Sequence, residues 1–74
     1  MKEKPMVGET IKNARKEAQL TQRGLARKTG IKQAHLSDME RGYVKKERIQ
    51  WDTIERLCRA LNLTPNELME YKSV

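Results

Sequence analysis

Gln33, Ala34, Ser37 and Asp38 place hydrogen-bonding and small apolar groups at helical spacing. A glutamine amide can bond the N6 and N7 edge of adenine. A small apolar side chain can meet a thymine methyl, and a carboxylate can accept from cytosine N4. At about 100° per residue, these four and Arg41 fall within roughly 140° of one another on a helix, with Leu36 and Met39 on the opposite side. The apolar face is thereby fixed inward, and the exposed face begins at Gln33. On an arbitrary surface such residues are ordinary solvated side chains, so the reading depends on the segment that holds them.

That segment is Thr21 to Gly42, TQRGLARKTGIKQAHLSDMERG. Thr21 is a good N-cap for a helix from Gln22 to Lys28, with Leu25 and Ala26 facing inward. Gly30 ends it where a left-handed residue is usually needed. A following helix runs from about Lys32 to Arg41 and stops at Gly42 in the same way. Ala26 is small where two helices must approach. Leu25, Ile31, Leu36 and Met39 are apolar where they would pack. Small residue, glycine turn and spaced apolar residues together make the helix-turn-helix pattern, which can set its second helix in a major groove.

The other elements read as the scaffold. Residues 1–6, MKEKPM, form a loose basic tail. A first helix runs from Val7 to Gln19, with Val7, Ile11, Ala14 and Ala18 as one apolar stripe. Tyr43 to Gln50, YVKKERIQ, is a basic loop. A fourth helix spans Trp51 to Leu61, with Ile54, Leu57, Cys58 and Leu61 on one face and Asn62 at its stop. Thr64-Pro65-Asn66-Glu67 starts a fifth: Thr64 caps, Pro65 suits the first helical position, and Glu67 completes a capping box. This helix reaches about Tyr71, and residues 72–74 are a tail. No strand pattern and no repeat is present. Trp51 is expected to pack on the core, with interface anchor as the lesser alternative. Met69 and Tyr71 fit either core or dimer surface.

Composition sets bounds on function. Seventy-four residues make one domain, taken as residues 7–71. Sixteen Lys and Arg against ten Asp and Glu give +6, a balance that suits a polyanion. A solvated basic surface is the bland alternative. A single cysteine, Cys58, rules out an internal disulfide and reads as core filler. His35 is the only histidine, with no cysteine pair or carboxylate cluster to make a metal site beside it. No catalytic constellation is visible, so no enzyme, metal or cofactor is expected. The chain carries neither a membrane-length apolar run nor a signal peptide, which suggests a cytoplasmic protein without a membrane partner.

The chain resembles the Cro-like, or XRE-type, helix-turn-helix regulators, which include small phage repressors. The resemblance covers about Val7 to Glu70. It is carried by Leu20-Thr21-Gln22, Leu25-Ala26, Thr29-Gly30-Ile31, Gln33, Leu36, Met39-Glu40-Arg41-Gly42, Asp52-Thr53-Ile54, Leu57, Ala60-Leu61, Leu63 and the segment NLTPNELMEY. It implies an all-α, five-helix, lambda-repressor-like DNA-binding domain. The helix from Lys32 to Arg41 would be the recognition helix, with Gln33, Ala34, Ser37 and Asp38 as base-reading positions. Gln22, Arg23, Lys32, His35, Arg41, Lys45, Lys46 and Arg48 would contact the DNA backbone. Arg15 and Glu40 would form a partly buried structural ion pair. The implied function is sequence-specific binding of double-stranded DNA by a homodimer on a palindromic operator, more often as a repressor in a prokaryote or mobile element. The alternative within the fold is an antitoxin that neutralises a partner toxin. Three departures stand out. Gly24 replaces the usual reciprocal capping Glu. Lys32 sits where Ser or Thr is commoner. The loop Tyr43 to Gln50 is longer and more basic than the common form, and reads either as a phosphate-tracking arm or as a flexible insert.

Overall fold

The structure is a computed structural model that describes residues 7–69. The expected tails at residues 1–6 and 72–74, and the continuation of the last helix through Glu70 to Tyr71, lie outside the described residues. Five helices follow in order: α1 (Val7–Glu17), α2 (Gln22–Thr29), α3 (Gln33–Glu40), α4 (Trp51–Leu61) and α5 (Pro65–Met69). A short 3-10 turn, Lys46–Arg48, lies between α3 and α4.

The helix stops aim the elements. Among the described residues, four adopt positive φ: Gln19 at 61°, Gly30 at 79°, Gly42 at 83° and Asn62 at 58°. Each follows a helix. At Gly42 the Tyr43 N–H reaches back to the Asp38 carbonyl at 2.9 Å and the Gly42 N–H to Met39 at 3.1 Å, so the last carbonyls of α3 are satisfied as the chain reverses. The stop at Gln19 departs from expectation. Leu20 N–H bonds the Arg15 carbonyl at 3.0 Å and Gln19 N–H bonds Lys16 at 2.9 Å, which closes α1 at Glu17 with a non-glycine left-handed residue. Ala18, assigned to the apolar stripe, is therefore exposed. Gln19 carries no glycine signature, so periodicity ran through it.

The starts differ in quality. Thr21 Oγ1 accepts from Gly24 N–H at 2.9 Å, but Gly24 has no side chain to return the bond. At α5 the box is complete: Thr64 N–H donates to Glu67 Oε1 at 2.8 Å and Glu67 N–H to Thr64 Oγ1 at 3.2 Å. α3 and α4 begin after Lys32 and Gln50 with no side-chain cap.

Ile11, Leu25, Leu36, Met39, Leu57, Leu68 and Met69 form the fully buried centre. Met69 thus belongs to the core. Among the described residues, no aromatic side chain is in the buried cluster. Trp51, expected to pack on the core, is 55% exposed at the head of α4; the core side of that turn is taken by Ile49 and Ile54, both buried. Cys58 fills core space, and burial, followed by the nearby Glu67 and Glu55 carboxylates, pushes its thiol up from the ordinary value. α2 packs between α3 and α4, and α1 lies against α3, α4 and α5.

Gly8 is buried where α1 meets the end of α3. A Cβ there would collide with the Met39 carbonyl oxygen and lie 2.7 Å from that of Glu40. At Gly24 an added Cβ meets only the ends of two side chains, the nearer being Thr21 Oγ1 at 3.2 Å. The two glycines should respond to alanine with opposite signs. Gly8→Ala is expected to destabilise by about 1–3 kcal/mol through overpacking. Gly24→Ala should stabilise α2 by about 0.5–1 kcal/mol. Thermal melts of both variants check this, and equal effects would remove the close-approach role of Gly8.

Candidate nucleic-acid interface

The turn between α2 and α3 is built from Thr29 and Gly30. The buried Thr29 hydroxyl donates to the Leu25 carbonyl at 2.8 Å and accepts from Ile31 N–H at 3.2 Å. Arg56 of α4 donates from Nη1 to the Thr29 carbonyl at 3.1 Å. Orphan groups at the helix end are thus satisfied from two sides, which holds the turn rigid. Sequence reasoning named Thr29 only within the family pattern and missed Arg56, because nothing local marks a cation 27 positions later in the chain as a helix cap.

α3 presents one face to solvent. Gln33, Ala34, His35 and Asp38 are exposed, Ser37 is half-buried, and Leu36 and Met39 are buried. Lys32 is exposed at the N-cap and Arg41 at the C-cap. The expected reader positions therefore share one accessible side of an eight-residue helix, with Ser37 recessed at its edge. Arg23 is exposed on α2.

Behind that face lies a charged brace. Arg15 Nε donates to Glu40 Oε2 at 2.8 Å and Nη2 to Oε1 at 3.1 Å, a two-pronged pairing. Arg15 Nη1 also donates to the Leu20 carbonyl at 2.8 Å. The side chains of Arg15 and Glu40 are 11% and 4% exposed. Gln22 Nε2 donates to Glu40 Oε1 at 3.1 Å. One carboxylate at the end of α3 thus gathers the end of α1 and the head of α2. Gln22 keeps its carbonyl oxygen and second amide hydrogen for other partners.

The segment after α3 is anchored rather than loose. Val44 is half-buried and Ile49 buried. Lys46 Nζ donates to the Met69 carbonyl at 3.2 Å, so this side chain straps the turn to α5. Lys45 and Arg48 point into solvent. The three cations, read together from sequence, divide into one strap and two free arms. Tyr43 is 71% exposed, with the Arg41 guanidinium 5.8 Å from its ring centre, a distance at which cation and ring attract. Among the described residues no group of His, Cys, Asp and Glu could hold a metal. No described helix is long and apolar enough to cross a membrane.

Residues 10–73 match the model of the Cro/C1-type helix-turn-helix DNA-binding domain. Among solved structures, the chain is similar to SinR, described as a master regulator for biofilm formation and crystallised in complex with DNA. The identity is 28%, the TM-score 0.79, and the match covers 85% of this chain and 97% of that one. It is similar to the restriction-modification controller protein C.AhdI from Aeromonas hydrophila, with 27% identity, TM-score 0.75, and 85% and 91% coverage. The P22 c2 repressor, in complex with a synthetic operator, shares the fold with 24% identity, TM-score 0.81, and 90% and 97% coverage. No curated protein matches the sequence.

Removing the shared carboxylate tests the brace. Glu40→Ala leaves the Arg15 guanidinium nearly buried without its counter-charge and should cost about 3 kcal/mol. Glu40→Gln keeps the shape and should cost less. Denaturant unfolding of both variants measures this, and a loss under about 0.5 kcal/mol for Glu40→Ala would mean the ion pair does not hold the helices in register.

Proposed function

The chain belongs to the Cro/C1-type helix-turn-helix DNA-binding domain family, and from that premise we propose that it is a sequence-specific regulator of transcription that uses α3 to read duplex DNA. The observation that carries this reading is the arrangement of α3. Leu36 and Met39 lock one side into the core, while Gln33, Ala34 and Asp38 stand exposed on the other. The similarity to SinR, a protein crystallised with DNA, supports the same use of the fold here.

Roles follow from position. Gln33 bonds an adenine edge, Ala34 meets a thymine methyl, and Asp38 accepts from cytosine. Ser37, at the edge of the face, adds a shorter-range contact. Gln22, at the head of α2, offers its free amide hydrogen to a phosphate beside the helix N-terminus. Arg23, Lys32, His35 and Arg41 flank the reader face. Lys45 and Arg48 reach the backbone beyond it. The Lys46 ammonium is engaged on α5, so it holds this arm in place rather than neutralising a phosphate. Phosphate contacts supply most of the affinity and base contacts the preference. The protein acts as a homodimer on an inverted repeat with half-sites about 34 Å apart, in a prokaryotic or mobile-element setting. Occupancy of that operator blocks polymerase, which makes repression the leading outcome.

Selection from a random duplex library, read by sequencing, tests this directly. An enriched inverted repeat is expected. No enrichment, with binding lost at moderate salt, would leave only non-specific charge attraction. In the same assay Gln33→Ala should relax one base position per half-site, losing about 1–3 kcal/mol of discrimination there. Lys45→Ala and Arg48→Ala should each weaken binding to all sequences and lower the salt slope by about one. An unchanged slope for both would make the segment a bystander.

A further inference from the structure

Because α2 packs between α3 and α4, it has two flanks. One carries the exposed face from Gln33 to Asp38. The other forms a groove with α4, of about 320 Å³ and open to solvent, lined by Lys28, Thr29, Arg56, Arg59 and Ala60.

The cations of this groove are in different states. Arg56 is fixed: Nη1 holds the Thr29 carbonyl at 3.1 Å, and Nε pairs with Asp52 at 3.1 Å. Lys28 and Arg59 are exposed, come from different helices, and pair with no carboxylate among the described residues. Arg15 and Lys46 are each engaged across elements, on the Glu40 carboxylate and the Met69 carbonyl; Lys28 and Arg59, like Lys45 and Arg48, are not in an ion pair among the described residues. Here two exposed cations from different helices line one concavity, neither of them in ion-pair contact with a carboxylate among the described residues. Half-buried Ala60 and the buried Thr29 make its floor.

We propose that this groove docks an acidic segment of a partner protein, with carboxylates on Lys28 and Arg59 and a small apolar residue over Ala60. The guanidinium of Arg59 accepts a carboxylate in two-pronged fashion, and the Lys28 ammonium takes a second as a point charge. Charge disfavours a second copy of this chain, since a two-fold contact centred on the groove sets cations against cations. Position disfavours the operator, because none of the groove's lining residues belongs to the exposed face of α3. That last step rests on the DNA-reading role of α3; the charge and shape of the groove do not. The site therefore gives the protein a protein-binding surface that remains available while DNA is bound.

The test is an amide NMR titration of the full chain with a synthetic capped Glu-Ala repeat peptide, alone and with a saturating duplex. Saturable shifts are expected at residues 28–30 and 56–60, with residues 33–38 unmoved, and peptide binding should persist on the DNA-loaded protein. Arg56 is left intact because it caps α2. The double variant Lys28→Gln, Arg59→Gln should keep its melting temperature and raise the peptide Kd by about tenfold, as expected for losing two exposed ion pairs. Absence of saturable binding, shifts centred on residues 33–38 or 45–48, displacement of peptide by duplex, or an unchanged Kd in the double variant would each overturn the assignment. If the duplex fails to bind at all, the DNA-reading role fails separately, and the peptide titration alone still decides the groove.

Discussion

The carboxylate of Glu40 is the point on which the geometry of the first three helices depends. It is almost fully buried and accepts two bonds from Arg15 and one from Gln22. Burying such a charge is costly, and an ion pair in the interior adds little net stability compared with an apolar substitute. What it does supply is direction. Apolar contacts tolerate sliding, whereas a two-pronged guanidinium–carboxylate bond has one good geometry. Arg15 also holds the Leu20 carbonyl, so the brace fixes the end of α1, the chain entering α2 and the last residue of α3 together. The exposed face of α3 points where it does because its C-terminal end is pinned by this network and its inner side by Leu36 and Met39.

Such directional devices suit a core to which none of the described aromatic residues contributes. The buried centre is made of Ile, Leu and Met, and the chain is short, so hydrophobic burial leaves a small margin. Backbone fit takes on added importance. Gly8 lets α1 lie directly on the final carbonyls of α3. Thr29 and Arg56 close the α2–α3 turn with side-chain bonds instead of packing. The incomplete cap at Gly24 is a local weakness at the head of α2, in the same region where Gln22 joins the brace.

Among the described residues, the aromatic side chains sit on the surface. Tyr43 and Trp51 flank the basic segment after α3, whose backbone is anchored by Val44, Ile49 and the Lys46 strap. Read from sequence, YVKKERIQ could be an arm or a flexible insert; the anchors make it a built element with Lys45 and Arg48 held outward. Exposed cations thus include one group continuous with α3 and another in the α2–α4 groove. Net charge alone could not separate them, because it sums over the whole chain.

Local signals in the chain were enough to place five helices, the turn between the second and third, and the family resemblance. Gly30, Gly42 and Asn62 mark stops that only left-handed residues make well, Thr64 and Glu67 mark a start, and the spacing of Leu25, Ile31, Leu36 and Met39 assigns the inner face of the helix-turn-helix. These signals are local, and local spacing is what a sequence displays. The pairing of Arg15 with Glu40 was legible only through the family resemblance. The early stop at Gln19 was hidden because glutamine carries no mark of positive φ. The exposure of Trp51 was hidden because a large apolar residue at a helix start reads as core until Ile49 and Ile54 are seen to fill that side. The close approach at Gly8, the Arg56 cap on α2 and the α2–α4 groove join residues far apart in the chain. They were decided by tertiary structure alone, since which atoms share a boundary depends on how the helices pack and not on the order in which they occur.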